Sequence, residues 1–219
     1  MFSELALGSV NYMPFKYPCF VSYRRGQEVL MQRFIKELKQ ALKAYLEPYF
    51  DEDIFIDEEQ IRGGDFLDKA LRCALLESVC MILVFTPKYF SKQHTYCARE
   101  YEAMRQIEDI RLKSLGQFNH GFIIPIVFRG SEQIPEYLRG RLYYDFSKYT
   151  LVDPGISDSR EYAAKIDEIA KKIYEISETL KSRYQDPCIS CESFNLPSEN
   201  EIRNWLSSVE KVYPVFPGR

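Results

Sequence analysis

Two stretches of this chain are apolar on both faces, SVCMILVFTP at residues 78–87 and GFIIPIVF at 121–128. A strand carries apolar side chains on both faces only where both are covered, the situation of parallel strands packed between helices. Helical periodicity fills the segments around them. Residues 30–46 space Leu30, Phe34, Leu38, Leu42 and Tyr45 along one helix face, with Pro48 just beyond. FLDKALRCALLE at 66–77 reads as a second helix and Thr95 to Lys113 as a third, with Thr95 as its N-cap. Residues 160–183 form a long helix with Ile166, Ile169, Ile173 and Ile176 on one face. CFVSY at 19–23, closed by Arg24, Arg25 and Gly26, is the first strand; DIFID at 53–57 is the second and RLYYDF at 141–146 a short fifth. The expected fold is α/β, a flavodoxin-like, doubly wound parallel five-stranded sheet of order 2-1-3-4-5. Pro125 removes a ladder donor from the fourth strand, so an edge, a strand start or a bulge is expected there.

Three regions follow: an N-terminal extension at 1–16, one domain at 17–183 and a C-terminal helical extension at 184–219. In the last, Ser198 and Glu201 make a capping box, and Ile202, Trp205, Leu206, Val209 and Val212 follow at helical spacing. That amphipathic helix must cover its apolar face, on its own domain or on a partner. The 219 residues are 46% hydrophobic, enough for a real core, and the net charge of −3 weighs against nucleic acid or an anionic membrane as partner. No apolar run approaches the ~18 residues of a membrane span, and no basic stretch leads into an apolar one near residue 1. A cytoplasmic protein is expected. Cys19, Cys73, Cys80 and Cys97 lie in apolar segments, where a reduced buried thiol is usual. Cys188 and Cys191 form a C-x-x-C without a second pair, and His94 and His120 lie far upstream, which weighs against zinc or redox chemistry there.

In such sheets ligands sit outside the carboxyl ends of the strands, where the strand order reverses. Three segments should therefore surround one crevice: Arg24 and Arg25 after strand one, the loop 58–65 after strand two, and the segment HTYCAREYEAM after strand three. At about 100° per residue, Cys97, Tyr101, Met104 and Ile107 fall on one arc of that last helix, and Glu100 falls inside it. A carboxylate inside an apolar stripe calls for a reason. Glu108 and Arg111 share the arc one turn later, which suggests burial of the first two turns only. The arginine pair is a solvated loop or a phosphate clamp, and Gly63 and Gly64 serve positive φ or a mobile cover. Phe85 and Tyr89 are expected to pack. The chain lacks a G-x-x-x-x-G-K-[ST] loop and a G-x-G-x-x-G after strand one, and it has arginines where a receiver domain has acids. Neither histidine falls at a strand end in the crevice, so no Ser-His-Asp arrangement is suggested.

FVSYRRG, FIDEEQIRGGDF, MILVFTPKYF, YCAREYEAM and IIPIVF, in that order over roughly residues 17–180, resemble the main segments of Toll/interleukin-1 receptor (TIR) domains. The chain is similar to prokaryotic NAD+-consuming TIR proteins of the Thoeris antiphage type. The resemblance implies a TIR fold and an NAD+ nucleosidase that gives nicotinamide and an ADP-ribose-derived product. It makes Glu100, three residues after Cys97, the catalytic carboxylate, and implies substrate contacts from Ser22, Tyr23, Arg24, Arg25, Asp57, Phe66, Tyr96 and Cys97. Asp57 and Glu59 are candidates for a second carboxylate, and the loop 58–65 looks like the family's BB loop. NAD+ is substrate, with no cofactor and no metal; self-association and a separate effector responding to the product are the implied partners. The alternative is a non-enzymatic interaction module. The chain departs from the family pattern at Tyr96, where the enzymes have Trp, at Pro18 and Cys19 in place of an acid, and at IRGGD in place of R-D-x-x-P-G.

Overall fold

The structure, a computed structural model, describes residues 15–26, 29–56, 67–93, 95–151, 159–183 and 191–212. Strand β1 (Tyr17–Tyr23) leads through helix α1 (Val29–Leu46) and helix α2 (Leu67–Leu76) to β2 (Ser78–Phe85). Helix α3 (Tyr96–Leu115), β3 (Ile123–Val127), the single turn α4 (Glu136–Arg139) and β4 (Tyr144–Asp145) follow, then α5 (Arg160–Arg183) and α6 (Glu199–Val212). The four strands lie in the order β1-β2-β3-β4, all parallel, with Tyr17 opposite Ser78 and Met81 opposite Ile123. Every residue of β2 and β3 is buried, as strands covered on both faces require. α1 and α5 pack together on one face, α2 and α3 on the other, and α6 lies outside α3.

The expected second strand is not a member of this sheet. Phe55 makes a single parallel bridge to Phe20, its N–H donating to the Cys19 carbonyl at 2.8 Å and its carbonyl accepting from Val21 N–H at 3.0 Å. The bridge lies on the edge of β1 away from β2, the place the 2-1-3-4-5 order assigns it. Asp53 bends the chain just before it: Oδ1 accepts from its neighbour Ile54 N–H at 2.8 Å and Oδ2 from Lys43 Nζ at 2.7 Å. Only residues 54–56 are left as extended chain before the segment 57–66, which lies outside the described residues.

Pro125 sits inside β3 opposite Leu83, neither at an edge nor at a bulge. Its neighbours Ile124 and Ile126 point their amides at β2, so the missing N–H faces β4, where pairing starts only at Ile126 and Tyr144. Helix α1 turns Met31, Phe34, Ile35, Leu38 and Leu42 into the core. Leu30, expected on that face, overhangs the first turn and is exposed, and Tyr45 is half-buried. Thr95 has helical φ and ψ and makes no side-chain cap, so α3 starts without the expected N-cap bond. Gly116, at φ 68°, closes α3 with its N–H on the Leu112 carbonyl at 3.1 Å.

The polar residues of α3 overturn the expectation that its stripe is buried for two turns only. Glu108 and Arg111 are both buried, because each finds its partners inside the fold. Arg111 donates to the carbonyls of Leu76 (2.9 Å), Ser78 and Val79 (both 3.0 Å), and its guanidinium lies over the rings of Phe15 and Phe122. Glu108 accepts the Phe122 N–H at 2.5 Å and both terminal nitrogens of Arg141. A buried charge so satisfied is tolerated, whereas its removal strands the partners. Arg111→Met is therefore expected to lower stability by about 3 kcal/mol, with three carbonyls left unpaired. A fall in the urea midpoint with an unchanged circular dichroism spectrum checks it.

Candidate active site

Side chains alternate across a strand, so Ser22 and Tyr23, adjacent at the end of β1, look to opposite faces of the sheet. Ser22 faces α3. Its Oγ donates to Glu100 Oε2 at 2.5 Å and contacts Tyr89 Oη at 2.5 Å. A serine hydroxyl has one proton, here given to the carboxylate, so Tyr89 is the donor to Ser22. Ser22 is 1% exposed, Glu100 3% and Tyr89 fully buried, so this Tyr89–Ser22–Glu100 chain runs through the apolar interior. Burial first, then the nearby Cys97 and Glu100, push the Tyr89 hydroxyl well above the usual tyrosine range, although its bond to Ser22 acts the other way. Tyr89 is thus held as a proton donor.

Cys97 is buried one turn before Tyr101 on the same helix, and Tyr96 is half-buried against the core. The first turn of α3 is anchored from outside by Arg99. Its guanidinium grips both oxygens of Asp68 on α2, at 2.7 and 2.9 Å, and donates to the Pro197 carbonyl at 2.6 Å. The hydrogen bonds from Arg99 hold the Asp68 carboxyl below its ordinary range.

Tyr23, Arg24 and Arg25 lie elsewhere. Tyr23 faces α1, with Lys39 Nζ 5.8 Å from its ring centre, and lines a cleft of about 240 Å³ together with both arginines. A second cleft, of about 260 Å³, opens across the carboxyl ends of β1, β2 and β3. Among the described residues Arg24, Arg25, Lys88 and Arg129 line it beside Pro87 and Phe128, and no acidic one does. Its far wall is two turns pressed together: Gly130 has φ 76°, and a Cβ there would meet Pro87 Cγ at 2.4 Å. The cleft suits an anion such as a phosphate or pyrophosphate group. Glu100 lines neither cleft. The structure thus brings Ser22, Cys97 and Glu100 together on the α3 side and gathers Tyr23, Arg24 and Arg25 across the sheet from them.

Asp57, Glu59, Phe66, Gly63, Gly64 and the rest of the loop 58–65 lie outside the described residues. Tyr89, Lys88 and Arg129 were not singled out as site residues by sequence. The signal for Tyr89 was its place four residues past a buried strand, on the carboxyl side of the sheet where Ser22 also lies. Among the described residues no group of three or more His, Cys, Asp or Glu is placed to hold a metal, and no helix is long and apolar enough to cross a membrane.

The sequence model of the TIR domain matches residues 19–158, from β1 to the edge of α5. The chain belongs to the TIR domain family. Among solved structures this TIR domain is similar to the TIR domains of the activated Roq1 resistosome directly recognizing the pathogen effector XopQ, at 19% identity and a TM-score of 0.39, over 87% of this chain and 96% of that chain. No curated protein matches the sequence.

Tyr89, Tyr101, Tyr137 and Tyr162 of this TIR domain all have hydroxyls raised above their ordinary value, in each case chiefly by burial. Their folded state holds protons that the unfolded chain releases from about pH 10 upward. Stability is accordingly full below pH 10 and falls as pH rises beyond it. Urea unfolding between pH 8 and 11 is expected to show this fall, and Tyr89→Phe to make it shallower.

Proposed function

We propose that this TIR domain is an NAD+ nucleosidase, cleaving the nicotinamide–ribose bond to give nicotinamide and an ADP-ribose-derived product. The observation that carries the reading is the buried carboxylate of Glu100, fixed by Ser22 at the end of β1. Departure of nicotinamide leaves positive charge on the ribose, as in glycoside hydrolysis, and a preorganised carboxylate in low dielectric stabilises that charge strongly. Nicotinamide leaves as a neutral molecule, so one carboxylate suffices without strong general-acid help. In this reading Arg24 and Arg25 hold the pyrophosphate from the cationic cleft, and Tyr96 and Cys97 wall the pocket. Asp57 and Phe66 add substrate contacts, and Asp57 or Glu59 supplies a second carboxylate where the acceptor needs activation.

Water, a ribose hydroxyl or another acceptor then takes the anomeric carbon, giving a linear, cyclic or conjugated product. Such a nucleotide would act as a messenger for a separate effector in cytoplasmic antiphage defence, with self-association completing the site. One observation favours the second reading, an interaction module without turnover. Val29, Leu30 and Leu67, at the first turns of α1 and α2, are exposed apolar residues suited to assembly.

The test is NAD+ loss with chromatographic identification of products, at high protein concentration. Glu100→Gln is expected to lose at least about 10²-fold in turnover while its circular dichroism stays that of the wild type. Equal turnover in both would remove Glu100 from its role, and none in either would favour the interaction module. Arg24→Gln is expected to raise KM about tenfold with a smaller effect on kcat, the signature of lost ground-state binding.

A further inference from the structure

Helix α3 carries Glu100 within one turn of its start, yet that start has no side-chain cap to hold it. Helix ends fray first, so a turn that carries a positioned carboxylate needs fastening from elsewhere. The C-terminal segment supplies it. Phe194 and Leu196 pack against the core, and Arg72 Nη1 on α2 donates to the Phe194 carbonyl at 3.1 Å. Cys73, next to Arg72, is only half-buried, against the sequence expectation. Arg99, the neighbour of Glu100, then ties three elements together. The guanidinium that grips Asp68 on α2 also donates through Nε to the Pro197 carbonyl. The expected capping box follows at once: Ser198 N–H donates to the Glu201 carboxylate at 2.7 Å and Glu201 N–H to Ser198 Oγ at 3.3 Å.

The apolar face of α6 is covered by its own domain. Ile202 and Leu206 lie against Ala98, two residues before Glu100, and all three are buried. Trp205 stacks on Tyr101, the residue after Glu100, with ring centres 6.0 Å apart and planes at 24°. It also meets Tyr137 at 5.1 Å and Phe90 at 6.0 Å. Ala98, Arg99 and Tyr101 are thus all held by the C-terminal segment, while Ser22 holds the Glu100 carboxylate itself.

We propose, on the reading of Glu100 as the catalytic carboxylate, that α6 and the segment before it are a brace that sets its position, with Trp205 and Arg99 as positioning residues. Ser22 fixes only the end of the Glu100 side chain. The height and rotation of the backbone at residue 100 are set by what its neighbours touch. Catalytic groups work within narrow limits of position, and a misplacement of about 1 Å can cost on the order of 10²-fold in rate. Docking of α6 therefore governs turnover. It leaves the arginine cleft, which none of the described residues of α6 lines, unchanged.

The experiment uses the full chain. Trp205 is the only tryptophan, so a red shift of its emission reports undocking of α6 directly. Leu206→Asp is expected to give that shift. It should also speed hydrogen exchange of the α3 amides at 99–104 at least about tenfold, while those of β2 keep their protection. Its kcat for NAD+ is expected to fall about tenfold, with KM within about twofold of the wild type. Trp205→Ala should lower kcat in the same way, and Trp205→Phe, which keeps a ring against Tyr101, should recover most of it. Undocked α6 with unchanged α3 exchange or unchanged kcat, or exchange that quickens equally in β2, would overturn the proposal while wild-type turnover upholds the nucleosidase reading. A wild type that turns over no NAD+ would overturn that reading, and the catalytic role of the brace with it.

Discussion

The guanidinium of Arg111 reaches from α3 to three carbonyl oxygens where α2 gives way to β2, a reach available in only one rotation and one height of the helix. Three turns earlier the same helix face delivers Glu100 to Ser22 at the end of β1. Between them Glu108 grips the amide that opens β3 and the side chain of Arg141. An apolar face tolerates small slips, whereas a buried ion out of register leaves charge or carbonyl unpaired. The three ionised groups act as pegs that set α3 against the starts of β2 and β3 and the end of β1. The position of the Glu100 carboxylate is thus a product of how the whole α3 face is packed.

The division of the SYRR stretch between two faces bears on any chemistry done here. Ser22 belongs to a dry chain of hydroxyls and carboxylate, and Arg24 and Arg25 to an open cleft that they share with Lys88 and Arg129. A ligand that meets both must pass over the carboxyl edge of β1, its anionic part in water and its reacting part toward the interior. A dinucleotide, with a central pyrophosphate and a cationic ring at one end, has that polarity.

Much of the architecture could be read from apolar periodicity, because the buried strands and the long faces of α3 and α5 carry unbroken patterns. The candidate carboxylate was legible for the same reason: Glu100 interrupts a stripe that has no other use for it. What periodicity could not supply were partners distant in the chain. Glu108 and Arg111, on the same arc, suggested a stripe buried for two turns only, since the groups that satisfy them lie about 14 and 33 residues away. The short second strand depends on a local choice at Asp53, whose side chain bonds its neighbour's amide. Tyr89 looked like packing, which it is; its hydroxyl becomes part of the site only through the fold.

Pro125 has an effect beyond its own strand. In a parallel pair, the amide of residue 125 would be the one to meet the carbonyl of Leu142, two places before the partner of Ile126. Proline has no hydrogen to offer, so the chain entering β4 gains nothing by joining the sheet sooner. Leu142 stands 93% exposed, a leucine left in water by an imino acid on the neighbouring strand.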